Sequence, residues 1–223
     1  MARRSKDLSQ RGRLRQRARQ AGWEALEDAE LLALLIAAAL PRTDVLATAR
    51  RLLDEAGGLG GALADPAAAR RLCGPSAALQ LAAARAAAVR LARADVSGRP
   101  VIASSVALHA YVRAELAHLP REQFRVLFLD RKNRLIRDEA MGDGSVDHAP
   151  VYPREVARRA LELSASALIL LHNHPSGDPS PSSADVDMTR QIVAAAGALR
   201  IAVHDHLVVA RDGVASLRAL GLM

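Results

Sequence analysis

The chain has 223 residues, half of them hydrophobic and a quarter charged, which suits one large domain or two small ones with a real core. Aromatics are 2% of the chain while alanine fills 47 positions, so that core is built from Ala, Leu and Val. The net charge of +7 resides entirely in residues 1–20, where eight basic groups face Asp7 alone; the rest of the chain balances at 23 basic and 23 acidic residues, so the excess is a basic arm and the folded body is neutral. A solvated, partly disordered terminus and a non-specific phosphate-contacting arm both fit it.

The single cysteine, Cys73, excludes an internal disulfide and any zinc site built on paired thiolates, the zinc deaminases among them. Leu31 to Leu40, the longest apolar run, has half the length of a membrane span, and no apolar stretch follows the basic start as in a secretory signal. The expectation is a cytoplasmic protein without a membrane partner.

Residues 21–97 read as a helical domain. A helix is predicted from Asp28 to Leu40, stopped by Pro41, and a second from Asp44 to Gly57-Gly58. Asp65-Pro66 starts a third, which Gly74-Pro75 breaks, and Ser76 to Ala94 is a fourth. Ser97-Gly98-Arg99-Pro100 is a breaker-rich linker. Beyond it, over residues 101–223, helices and strands interleave, so this part is α/β with a mixed sheet flanked by helices. Ser104 caps a helix to about His118, Phe124–Leu129 is a strand, Asp130–Asn133 a turn, and a returning strand begins at Leu135. Pro153 opens a helix to Leu163. Ala167–Leu171 is wholly apolar, as a central strand covered on both faces must be. A helix over about 183–198, two strands at Ile201–Val203 and Leu207–Val209, and a hairpin at Asp212-Gly213 complete the chain.

The loop after the central strand, from His172-Asn173-His174 to Asp185, carries the chemistry. On an extended backbone residues two apart project to one side, so His172 and His174 aim at a common point beyond a rigid strand. Two imidazoles and the Asp185 carboxylate form a ligand set suited to one zinc ion per chain, and three protein ligands leave the fourth position that distinguishes a catalytic site from a structural one. His-x-His followed by serine and aspartate at this spacing arises by chance roughly once in a thousand chains of this composition.

The pattern of two histidines one residue apart, then Ser182 after seven residues and Asp185 after two more, resembles the motif of the JAMM (MPN/JAB) metallopeptidase domain. The stretch from His172 through Ser182, preceded by Pro153-Arg154-Glu155-Val156, is similar to the bacterial RadC family within that group. The similarity runs through residues 121–223 and more loosely back to about residue 8. It implies a JAMM-type α/β fold, His172, His174 and Asp185 as zinc ligands, Glu122 as the general base and Ser182 as a stabiliser of the tetrahedral intermediate. It also implies hydrolysis of a peptide or isopeptide bond in a peptide or protein substrate. Glu139 and Glu155 are rival carboxylates that only the resemblance sets aside.

Ser182 to Asp185 equally fits a helix capping box; were Ser183 the cap instead, Asp185 would be free for metal. His204-Asp205-His206 is a second His-x-His, placed between two strands, where His206 reads as packing or support for the metal ligands and His204 as incidental. Gly142-Asp143-Gly144-Ser145 lacks the lysine and helix of a phosphate loop and reads as a turn lining a substrate groove. Cys73 reads as a buried small hydrophobe. The helical region resembles a helix-hairpin-helix DNA-binding unit, but Leu72 to Ala78 lacks one hairpin glycine and the lysine, and Pro75 removes a donor. Ala37-Ala38-Ala39 likewise replaces a polar, glycine-containing stretch.

Two functions are therefore on the table: a zinc hydrolase, possessing a helical recruitment domain, and a DNA-repair or recombination accessory protein whose metal domain is structural or regulatory. A dimer in which a second subunit completes the groove is compatible with either. Duplex-DNA binding measured by fluorescence anisotropy across a salt series separates them. Salt-dependent binding that survives deletion of residues 1–20 favours the accessory protein, whereas metal-dependent cleavage abolished by Glu122→Gln with zinc still bound favours the hydrolase.

Overall fold

In the computed structural model, residues 10–40, 44–97, 100–101, 105–143 and 151–223 are described. Two compact units divide the chain, one up to Ala86 and one from Ala87 onward.

The first unit is helical. Part of the expected basic arm is the helix α1 (Gln10–Ala21), which buries Leu14 and Ala18. Arg17 pairs with Glu30 at 2.7 Å and donates to the Ala25 carbonyl, and Arg11 donates to the Leu40 carbonyl, so part of the arm's charge serves the fold. Helix α2 (Asp28–Ile36) starts with a reciprocal Glu27–Glu30 capping box and stops four residues short of Leu40. Asp44 caps α3 (Val45–Ala56), which ends where Gly57 turns left-handed at φ 71°. A short α4 (Leu59–Ala64), not anticipated from the sequence, follows; a Cβ at Gly61 would lie 2.0 Å from the Ala56 carbonyl oxygen, so only glycine lets the turns pack this closely. Asp65 caps α5 (Pro66–Val96) through the Ala67 and Ala68 amides, and Gly74 (φ 79°) breaks it at the expected place. Leu32, Ile36, Leu52, Leu81 and Cys73 lie in this unit's core.

Helix α5 has the length and apolarity of a membrane span, a feature that a count of consecutive apolar residues misses. Its break at Gly74 and the Arg85, Arg90, Arg93 and Asp95 beyond the break weigh against such a role. The boundary between units falls within α5, ahead of the breaker-rich linker. Val89, Ala92 and Val96 pack into the second unit's core, so the linker marks the end of the helix and not of the packing unit. Gly98, Arg99, Ser104 and the 144–145 part of the predicted groove turn lie outside the described residues.

The second unit is a five-stranded mixed sheet of order β2-β1-β3-β4-β5, with β1 (Gln123–Leu129), β2 (Leu135–Asp143), β3 (Ala167–Asn173), β4 (Ala202–Ala210) and β5 (Gly213–Ser216). Only β3 and β4 run parallel. Helix α6 (Ser105–Leu116) covers one face, against Leu127, Leu129, Ile169 and Leu171. Helices α7 (Pro153–Glu162) and α8 (Ser183–Ala198) cover the other, against Val126, Phe128, Leu168 and Leu170. Every residue of β3 is buried, as its unbroken apolar run requires.

One expectation needs correction. Residues 201–203 and 207–209 do not form two strands: Ala202–Ala210 is a single strand, and His204-Asp205-His206 lies inside it. The polar triplet interrupts the hydrophobic pattern without interrupting the backbone ladder, because a one-residue bulge in β4 absorbs it.

On the α6 face, the buried Tyr111 hydroxyl donates to Asp138, whose other oxygen accepts from Arg125 Nε at 2.9 Å. Burial, then the Asp138 charge, push the Tyr111 hydroxyl well above its usual range. A raised pKa favours the neutral form in the fold, so this contribution is whole below pH 10.0 and is lost progressively as pH rises above it. Tyr111→Phe is expected to lower stability by about 1.5–3 kcal/mol at neutral pH and to reduce the alkaline loss, as read by urea unfolding at a series of pH values.

Candidate metal centre

The centre forms where β3 leaves the sheet beside the start of α8. Strand alternation that sends Leu168 and Leu170 into the α7–α8 core sends His172 and then His174 to the same side. His172 is buried and stacks on Phe124, its register partner in β1, with the rings 12° from parallel and 6.4 Å apart. His174, just past the strand, is partly buried; its amide donates to the Val209 carbonyl at 3.0 Å. The loop then closes on itself: the Gly177 amide donates to the His174 carbonyl, and the Asp212 amide to the Gly177 carbonyl.

Asp185 is presented by the first turn of α8. The cap of that helix is Ser182, and Ser183 is its first residue, so the alternative in which Ser183 caps does not hold. Asp185 nevertheless serves both purposes, because its two oxygens divide the work. Oδ2 accepts from the Ser182 amide and hydroxyl, each at 2.7 Å, while Oδ1 faces His172 Nε2 at 3.1 Å. The Ser182 oxygen in turn accepts from the Asp185 amide at 3.2 Å.

The two Nε2 atoms are 2.9 Å apart, His174 Nε2 is 3.4 Å from Asp185 Oδ2, and ligand atoms of all three residues lie within 4.8 Å of one another. His174 Nδ1 is 3.0 Å from the Asp178 carbonyl, which can only accept, so the neutral ring carries its hydrogen there and turns a bare Nε2 inward. Burial opposes the charge of Asp185, yet the two imidazoles beside it and the Ser182 amide hold the carboxyl well below its usual range. The Asp185 contact raises the His174 pKa, with burial opposing. Electron-pair donors crowded this closely repel one another unless a cation lies between them, so the donor set fits a divalent metal.

Glu122 immediately precedes β1 and lines, with His172, Asp185 and His206, a cleft of about 300 Å³ whose apolar wall includes Phe124 and Met188. The rival carboxylates are engaged elsewhere: Glu139 makes a two-pronged pair with Arg159 at 2.6 and 2.7 Å, and Glu155 pairs with Arg158. His204 accepts no part in the centre, its Nε2 lying 2.6 Å from Asn133 Oδ1, whereas His206 contacts His172 directly at 2.8 Å.

Sequence reasoning missed Asn173. Its side-chain oxygen accepts from the Gln123 amide at 2.9 Å and its amide donates to the Arg121 carbonyl at 3.0 Å. These bonds bracket the backbone of Glu122 and fix it against the strand that carries the histidines. An asparagine at the end of an apolar strand, between two candidate ligands, was the available signal.

Residues 102–222 match the RadC-like JAB domain family, and residues 5–73 match the UPF0758 N-terminal family. The chain belongs to the RadC family. Over 215 residues it is 55% identical to a UPF0758 protein of Rhodobacter capsulatus, an alignment that covers 94% of this chain and all of that relative. The RadC-like JAB match takes in the whole sheet from β1 to β5, the His172–Asp185 loop and α6 to α8.

Metal analysis of the purified RadC-family chain by plasma mass spectrometry, after reconstitution with a divalent ion, is expected to find about one ion per chain. His174→Ala is expected to lose it at equal protein concentration.

Proposed function

We propose that this RadC-family protein is a cytoplasmic zinc-dependent hydrolase that cleaves a peptide or isopeptide bond. One observation carries the reading: His172, His174 and Asp185 turn their ligand atoms to one point, beside a cleft that Glu122 also lines. Two imidazoles and a carboxylate, without a thiolate, suit zinc in a site with an open fourth position. A zinc ion bound there would lower the pKa of a water towards ~7 and polarise the scissile carbonyl.

The chain's own residues supply the remaining chemistry. Glu122 accepts the proton of the attacking water and returns it to the departing nitrogen, a task that its place on the cleft wall allows. Ser182 holds Asp185 through its hydroxyl in the resting arrangement; rotated away, that hydroxyl donates to the oxyanion forming on the carbonyl oxygen. Phe124 and Met188 give the cleft an apolar wall against which a substrate side chain packs. The accessory role on DNA has less support, since Arg11 and Arg17 of the basic arm make contacts inside the helical unit and the hairpin position is broken at Gly74-Pro75.

The test is Glu122→Gln assayed with a quenched fluorescent peptide library. Turnover is expected to fall by about 10²–10⁴ with the zinc content unchanged. Equal turnover of the variant and the wild type would overturn the assignment of Glu122, and zinc-independent turnover would overturn the mechanism.

A further inference from the structure

Behind His172 lies a chain of hydrogen bonds that the proposed hydrolysis does not use. Thr189 Oγ1 is 2.6 Å from the Asp185 carbonyl oxygen and 2.5 Å from His206 Nδ1, and His206 Nε2 is 2.8 Å from His172 Nδ1. Thr189 and His206 are 0% and 1% exposed, so no solvent stands in for a missing partner. We infer that this relay, from Asp185 through Thr189 and His206, fixes which nitrogen of His172 faces the metal centre, making Thr189 and His206 positioning residues.

The direction of each bond follows from valence. A carbonyl oxygen only accepts, so the single Thr189 hydroxyl hydrogen points to Asp185. His206 Nδ1 must then carry the hydrogen donated to Thr189 Oγ1. A neutral imidazole has one N–H, so His206 Nε2 is bare and accepts from His172 Nδ1. His172 therefore holds its hydrogen on Nδ1 and presents a bare Nε2 to Asp185 and His174. The arrangement rests on the metal-site reading for its purpose, but the tautomer itself does not.

The bulge in β4 is what brings His206 into the relay. Leu168 pairs with Val203, but Ile169 pairs with Asp205, so His204 is passed over. Leu170 then pairs with His206, on the α7–α8 face where His172 lies. Were the same residues paired without a bulge, His206 would lie opposite Leu171, whose side chain enters the opposite core. The Asp205 carboxylate secures this bend, accepting from the His206 amide at 2.7 Å, the Arg218 amide at 3.2 Å and the Ser216 hydroxyl at 2.7 Å.

Thr189→Val and Thr189→Ser separate this role from packing. Valine keeps the shape and removes the hydroxyl; serine keeps the hydroxyl and leaves a gap. Zinc affinity, measured by competition with a chromophoric chelator, is expected to fall about 10–100-fold in Thr189→Val and to return in Thr189→Ser. In the metal-free protein, ring proton–nitrogen couplings are expected to place the His172 hydrogen on Nδ1 in the wild type and Thr189→Ser, and to move it in Thr189→Val. A packing role predicts the reverse order of affinities, and that result overturns the proposal. So does a wild-type His172 bearing its hydrogen on Nε2, a measurement that needs no variant to fold. If the couplings behave as expected while the wild type binds no zinc, the relay stands and the metal reading fails.

Discussion

The alternation of β3 is the constraint on which the rest depends. Its side chains fill two cores in turn, and the same parity that buries Leu168 and Leu170 under α7 and α8 carries His172 and His174 out toward Asp185. Because the strand is buried on both faces, it cannot slip by one residue without exchanging its two apolar sets. The position of the imidazoles is thus secured by packing energy from the whole sheet and not by the loop that follows them.

Around that strand the supporting contacts come from every neighbour. β1 provides Phe124 against the His172 ring and, through Asn173, a fixed backbone at Glu122. β4 supplies His206, and α8 supplies both Asp185 and Thr189. Elements far apart in sequence therefore converge on a volume only a few ångströms across, which is how a site gains rigidity from secondary structure instead of from loop length.

Much of this was legible in the sequence because it depends on local rules. The apolar run at Ala167–Leu171, the His-x-His spacing, the Asp44 and Asp65 caps and the Gly74-Pro75 break all follow from alternation, capping or backbone geometry within a few residues. What was not legible depends on partners distant in the chain. The unity of β4 hides because a bulge is defined by the strand opposite. The part played by Asn173 requires Arg121 and Gln123 to lie across from it, and the ordering of α1 requires Glu30, Ala25 and Leu40 to receive its arginines. The breaker-rich linker marks where the last helix of the helical region ends, but that the final turns of this helix pack with the second unit depends on contacts with distant residues.

The divided carboxylate of Asp185 has a consequence for how the centre is assembled. Oδ2 is spoken for by the start of α8, and each imidazole is held from behind by a protein group, His172 by His206 and His174 by Asp178. The geometry of the pocket is thus inherited from the polypeptide. Any ion that binds there meets two imidazoles and a carboxylate that the polypeptide has already turned toward it.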